Sequence, residues 1–203
     1  MWKTLTKAGI ALGGVTLIAG TGLVMAPAAQ AGGVSAAQAR TQTGVQAPKG
    51  MKAQFEGRTI DLSKSWGAAK ACTVWRAGGV VQCFRTAEEQ ERTASELTRL
   101  RTGRVAAATC STPLRVYEHG EFNYNGTVNG RTLSFYDRGY WQNLTDYNFN
   151  DQTSSYRIGS CNAHLAEHIG GGAYWYPGNT NAWYSEGVLY SGWNDRISSV
   201  KND

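Results

Sequence analysis

The hexapeptide Asn150-Asp151-Gln152-Thr153-Ser154-Ser155 returns 44 residues later as Asn194-Asp195-Arg196-Ile197-Ser198-Ser199, with four of six positions identical. Each copy follows an aromatic residue, Phe149 or Trp193, and precedes an apolar or aromatic step, Tyr156 or Val200. Two such copies at one spacing read as an internal duplication. Their side chains are carboxylate and amide oxygens followed by hydroxyls. These are ligands for a hard cation such as Ca²⁺ rather than for a soft metal.

Working outward, residues 110–203 divide into two matching units. The first runs Leu114-Arg-Val-Tyr-Glu-His119, Thr132-Leu-Ser-Phe-Tyr136, Asp137-Arg-Gly139 and the Asn150 hexapeptide. The second runs His164-Leu-Ala-Glu-His168, Ala173-Tyr-Trp-Tyr176, Pro177-Gly178 and the Asn194 hexapeptide. Glu-His recurs at Glu118-His119 and Glu167-His168, and an aromatic–Tyr pair recurs at Phe135-Tyr136 and Trp175-Tyr176. Short period-two stretches between Gly, Asn and Pro turns predict roughly four short antiparallel strands per unit, paired as a Greek-key sandwich.

This pattern resembles the microbial βγ-crystallins, over residues of about 112–200. The resemblance implies an all-β double Greek-key sandwich of two repeats, 110–157 and 158–203, with two Ca²⁺ sites formed across the repeats. Asp151 and Asp195 would supply side-chain oxygens. Gln152 and Arg196 would supply backbone carbonyls, so a basic Arg196 side chain is no obstacle. Ser154 and Ser198 would each give a hydroxyl to the site headed by the other motif. Glu118 and Glu167 would give backbone carbonyls, and Ser155 and Ser199 would be structural. Two departures stand out: the first hairpin is stretched from Phe122 to Asn129, and the second repeat opens on His164-Leu165-Ala166 rather than an aromatic. Few charges per ion imply weak to moderate affinity, suited to extracellular Ca²⁺. The competing reading is that Asp and Ser merely hold turns.

Ahead of the repeats the chain changes character. Lys3 and Lys7 precede a small, apolar run from Ala8 to Met25, and Ala29-Gln30-Ala31 follows as a cleavage site. Residues 1–31 therefore read as a secretory signal peptide cleaved after Ala31, giving a secreted, extracellular protein. Residues 32–50 lack periodicity and large apolar groups and read as a disordered lead. Residues 51–104 read as a small hairpin-plus-helix region. In it Cys72-Thr-Val-Trp75 and Val80-Val-Gln-Cys-Phe84 flank Arg76-Ala-Gly-Gly79, a hairpin signal. Thr86-Ala-Glu-Glu89 is a capping box opening a helix to about Leu100, with Arg99, Arg101 and Arg104 at its end. Residues 105–109 read as a linker. Residues 32–109 carry net +6 and residues 110–203 net −3, and all ten Tyr lie in the second part. That shift places a boundary near Cys110.

Four Cys in an exported chain read as disulfides, with three connectivities open. The hairpin sets Cys72 opposite Cys83 and favours Cys72–Cys83 with Cys110–Cys161.

Enzymatic readings are weaker. His164-Leu-Ala-Glu-His168 matches a zinc-peptidase pattern that needs a helix, yet it lies between Cys161 and Gly170-Gly-Gly172. Residues 110–203 hold nine acids, several already committed to the motifs, so a glycosidase pair is unsupported, and no nucleophile motif such as G-x-S-x-G is present. The chain is not expected to be an enzyme. Trp141, Trp175, Trp183, Tyr184 and Trp193 could line a sugar- or peptide-binding face. Most are expected in the core, with Trp183 and Tyr184 exposed. An acidic aromatic half argues against nucleic acid. The expected protein is a secreted, monomeric Ca²⁺-binding module with a binding or structural role. Its other partner would be an extracellular protease or a cell-wall polymer, and no membrane is expected after signal removal. The alternative is a peptidase inhibitor, by analogy with a secreted metalloproteinase inhibitor of Greek-key fold. It would present the loop Gly120–Gly130 or Pro177–Glu186.

Overall fold

The structure, a computed structural model, describes residues 50–99, 107–124 and 130–203. The expected signal peptide, nearly all of the lead, Arg101, Arg104, the start of the linker and residues 125–129 of the first hairpin lie outside the described residues. What is described is mostly β-strand with one α-helix. No helix among these residues is long and apolar enough to cross a membrane.

The N-terminal part forms two hairpins, β1 (Lys52–Phe55) with β2 (Arg58–Asp61), and β3 (Ala71–Trp75) with β4 (Val80–Phe84). The second turns through Arg76–Gly78 and closes on Gly79 at φ 71°, a left-handed position that glycine takes without strain. Cys72 faces Cys83 in register and the two are bonded, as are Cys110 and Cys161. Helix α1 (Ala87–Arg99) opens as its sequence requires: the Glu89 N–H donates to the Thr86 hydroxyl at 3.2 Å. The reciprocal bond differs from a capping box. The Glu89 carboxylate accepts from the Arg85 N–H at 3.0 Å, one residue before the cap. Gln90 then buries its amide against the Thr73 hydroxyl of β3 at 3.1 Å.

The repeats supply β5 (Thr109–Tyr117), β6 (Thr132–Asp137), β7 (Gln142–Asn143) and β8 (Ser155–Arg157), then β9 (Ala163–Ala166), β10 (Ser185–Glu186) and β11 (Ser199–Asn202). The strand order is β10-β8-β5-β6 in one sheet and β7-β11-β9 in the other. An isolated bridge from Ala166 to Trp175 extends the second sheet. Each repeat therefore sends its third strand to the sheet of its partner: β7 pairs with β11, and β10 pairs with β8. That reciprocal exchange is the expected pair of Greek keys. The second repeat's Ala173–Tyr176 run, expected as a strand, makes only the Trp175 bridge, because Gly170, Gly171 and Ala173 all take positive φ just before it.

The first sheet does not stop at β6. Strand β3 pairs with β6 in parallel, from Ala71 opposite Thr132 to Val74 opposite Phe135, and the order continues β3-β4-β1-β2. Both strands are buried along their whole length, as a central parallel pair should be. The boundary expected at 105–109 is thus bridged by strand pairing from either side, within one compact unit, Gly44–Asp203. One apolar cluster spans it, with Leu62, Trp66 and Val74 packed among Leu114, Leu133, Phe135, Phe149 and Tyr156. The Trp66 indole N–H donates to the Tyr147 carbonyl at 2.7 Å.

Candidate functional site

Both hexapeptides fold alike. Asp151 and Asp195 take left-handed backbone at φ 52° and 57°, where Asp is among the few residues readily accommodated. The preceding Asn in each copy donates its side-chain amide to the carboxylate beside it, Asn150 to Asp151 at 2.7 Å and Asn194 to Asp195 at 2.6 Å. One carboxylate oxygen is held in this way, and the other is left to face the opposite motif. The two motifs also exchange backbone bonds: Asp151 N–H to Ile197 O at 3.2 Å and Asp195 N–H to Thr153 O at 3.1 Å. Thr153 and Ile197 are fully buried, which anchors each turn to the core.

The second Ser of each copy fixes the loop after Glu-His. Ser155 donates to the His119 carbonyl at 2.7 Å and accepts from the Phe122 N–H at 3.1 Å. Ser199 donates to the His168 carbonyl at 2.6 Å and accepts from the Gly171 N–H at 3.0 Å. Both loops are left-handed here. The second uses Gly170 and Gly171, whereas the first uses the non-glycine run Glu121, Phe122 and Asn123, with φ from 50° to 64°. Residues held in that region cost on the order of 1–2 kcal/mol each. In the first loop Asn123 compensates: its side chain accepts from the His119 N–H and donates to Arg131 O and Thr132 Oγ1.

Oxygens from three segments converge where the motifs meet. Ser154 donates to the Glu118 carbonyl at 2.9 Å, and its hydroxyl lies 3.4 Å from Asp195 Oδ1. Glu118, Gly120, Asp151, Gln152, Ser154, Asn194 and Asp195 line a cleft of about 510 Å³ there. On the other side Ser198 donates to Asp151 Oδ1 at 3.0 Å. Two oxygens bound to one Ca²⁺ at right angles would stand about 3.4 Å apart, given metal–oxygen lengths of about 2.4 Å. The Ser154–Asp195 spacing of 3.4 Å matches that separation, while the Ser198–Asp151 spacing of 3.0 Å is that of a hydrogen bond.

The side chains of the four residues expected to give backbone carbonyls are engaged elsewhere. The two Ser backbone N–H groups bond alike, Ser154 to Tyr117 O and Ser198 to Ala166 O, but the Ser154 hydroxyl donates to the Glu118 carbonyl, whereas the Ser198 hydroxyl donates to Asp151. The Arg196 side chain turns away, pairing with Glu167 and donating to Gly192 O at 2.6 Å. Gln152 lies at the cleft, but its side chain is held by Arg131. Neither Glu carboxylate is free. Arg131 takes both oxygens of Glu118, and Arg196 takes Glu167. Burial disfavours the charged form of Glu118, but hydrogen bonds and charge from Arg131 outweigh it and hold its pKa below the usual carboxylate value. The hydrogen bond from Arg196 likewise lowers Glu167. Arg131 escaped the sequence reading, and so did the part of the two Asn residues, whose amides were read as oxygen ligands but donate to the neighbouring Asp. The Asn roles had a visible signal, identity in both copies; Arg131 had none, since the second repeat draws its cation from inside the motif.

Among the described residues no group of three or more His, Cys, Asp or Glu side chains is positioned for a metal, so a soft-metal or zinc set is not assembled. The His164–His168 segment begins on strand β9, not on a helix, and His164 pairs with Asp203 at 2.8 Å. Of the aromatics, Trp183 is exposed as expected, but Tyr184 packs against the core and Trp175 is half exposed instead.

No protein-family model and no curated protein matches the chain. Among solved structures the chain is similar to a βγ-crystallin from Ciona intestinalis, at 20% identity and a TM-score of 0.34, covering 45% of this chain and 99% of that one. A βγ-crystallin from an archaeon aligns at 22% identity and a TM-score of 0.34, over 45% of this chain and 98% of its own. A βγ-crystallin domain from Flavobacterium johnsoniae aligns at 27% identity and a TM-score of 0.30, over 43% and 90%. The similarity to βγ-crystallin domains thus spans a little under half of this chain.

Proposed function

We propose that this chain is a secreted Ca²⁺-binding Greek-key protein with a binding or structural role outside the cell. One observation carries the reading: each motif's first Ser hydroxyl meets the other motif's Asp carboxylate, Ser154 with Asp195 and Ser198 with Asp151. In the first site Asp195, Ser154 and the Glu118 carbonyl would hold the ion, with the Gln152 backbone beside them. In the second, Asp151 and Ser198 would do so. A bound ion supplies a cross-link between the repeats. The chain's own part is preorganisation: the Asn amides aim the carboxylates, and Ser155 and Ser199 fix the loops. An ion that binds only the folded state stabilises it by about 2.7 kcal/mol at a concentration near 100 times Kd. Calorimetric titration of the folded protein with CaCl₂ tests this. Binding of two ions is expected, and no heat beyond dilution would contradict it.

The peptidase-inhibitor reading has one observation in its favour. The loop from Pro177 to Glu186 is exposed yet pinned, by Tyr156 to Asn179 O, Ala163 to Thr180 O, Ala182 to Asn162 and Trp183 to Gly159 O. It presents Trp183 at φ 69°. A panel of secreted proteases would separate the two readings: no inhibition is expected of the Ca²⁺ module, and inhibition lost on Trp183→Ala would favour the inhibitor.

A further inference from the structure

We propose that Arg131 sets the strength of the first cation site by withholding the Glu118 carboxylate from it; this rests on the Ca²⁺ reading above. Glu118 lines the cleft, and the Arg131 that holds its carboxylate also holds Gln152, a second residue of that lining, so a released carboxylate would have the cleft beside it. The carboxylate is instead fully engaged. Glu118 Oε1 accepts from Arg131 Nη2 at 2.9 Å, and Oε2 accepts from Arg131 Nε at 3.1 Å and from the Arg131 backbone N–H at 2.8 Å. A planar guanidinium can take both oxygens at once, which a lysine cannot.

Arg131 is itself fixed from several sides. It donates to the Asn148 carbonyl at 2.9 Å and to Gln152 Oε1, and its guanidinium lies 5.1 Å from the Trp66 ring and 5.2 Å from the Phe149 ring. Trp66 belongs to the N-terminal part, so the segment before the repeats helps to hold the cation in place. The second site differs. Arg196 is 45% exposed, and among the described residues its contacts are Glu167, Gly192 O and the Trp193 ring, so its pair with Glu167 is more open to screening by water. The two pairs are therefore unequal in burial, Arg131 being 15% exposed and Arg196 45%.

Calorimetric Ca²⁺ titrations of the wild type, Arg131→Gln, Arg131→Gln/Glu118→Gln and Arg131→Lys decide the matter. Freeing one carboxylate at the first site is expected to tighten its Kd roughly tenfold in Arg131→Gln, since ligand charge sets affinity. The second site should stay within about twofold. The double variant, which has no carboxylate to release, should return to within about twofold of wild type. Binding by Arg131→Gln that is unchanged or weaker, equal tightening at both sites, or a double variant that stays tight would each overturn the proposal. Should circular dichroism show Arg131→Gln to be unfolded, Arg131→Lys decides: it keeps the charge but not the fork, and must bind more tightly than wild type. Absence of any wild-type binding would instead remove the Ca²⁺ reading itself.

Discussion

The hydroxyl of Ser198 stands 3.0 Å from the carboxylate of Asp151, although 47 residues separate them. Together with the Ser154–Asp195 approach, this makes each candidate site the joint product of both repeats. Asp151→Asn tests the pairing without disturbing the turn, since Asn tolerates left-handed backbone as well as Asp does. It is expected to weaken one of two calorimetric Ca²⁺ sites by tenfold or more, on the order expected for the loss of one ligand charge, and to leave the other.

Ser155 and Ser199 carry a different load. Each is fully buried and satisfies a carbonyl and an N–H of the loop after Glu-His. Replacement by Ala leaves both groups unpaired, which costs about 1–3 kcal/mol. Ser155→Ala should cost more than Ser199→Ala, because its loop holds three non-glycine residues at positive φ. Chemical denaturation in EGTA, where no Ca²⁺ contributes, measures this. Equal and negligible losses would contradict the anchoring role.

The repeats were legible because they state themselves twice: the hexapeptide, Glu-His and the aromatic–Tyr pair mark corresponding places in the two keys. The cleft followed, because Asp and Ser fall at the point where the keys cross. The attachment of the N-terminal part was harder to read. Charge and tyrosine content change near Cys110, yet composition reports surface and core chemistry, not strand neighbours. The clue lay in Ala71-Cys-Thr-Val-Trp75, buried at every position. A strand without a polar face wants cover on both sides, and β6, also buried throughout, supplies its edge. Arg131 was invisible for a related reason: its partners, Trp66, Glu118 and the pair Asn148 and Gln152, come from three separate stretches of the chain.

That attachment makes truncation informative. A fragment starting at residue 107 would expose the edge of β6 and strip Leu62, Trp66 and Val74 from the common apolar cluster. An open, apolar strand edge invites association. The fragment is expected to aggregate or to unfold well below the intact protein in size-exclusion and thermal measurements. A monomeric fragment of undiminished stability would show the two parts to be independent.

Stability should form a plateau bounded by titration on both sides. Hydrogen bonds from Lys52 and Ser63 draw Asp61 down to about 2, and Glu118 and Glu167 also lie below their ordinary value of 4.5. A depressed carboxylate stabilises the fold above its unfolded pKa and ceases to do so as pH falls through the folded one, so stability should decline below about pH 4.5. Burial, with the nearby Asp137 charge, pushes Tyr140 up to about 12, and burial also raises Tyr147 and Tyr156. A raised tyrosine contributes below its unfolded value of 10.0 and loses that contribution as pH rises toward 12. Denaturant midpoints from pH 2 to 12 check both edges.

The most direct test is thermal unfolding of the intact protein in millimolar CaCl₂ against EGTA, repeated on Asp151→Ala/Asp195→Ala. Two cross-repeat Ca²⁺ sites require a higher midpoint in CaCl₂ for the wild type and no difference for the double variant. Identical wild-type curves in the two solutions would contradict the Ca²⁺ sites outright.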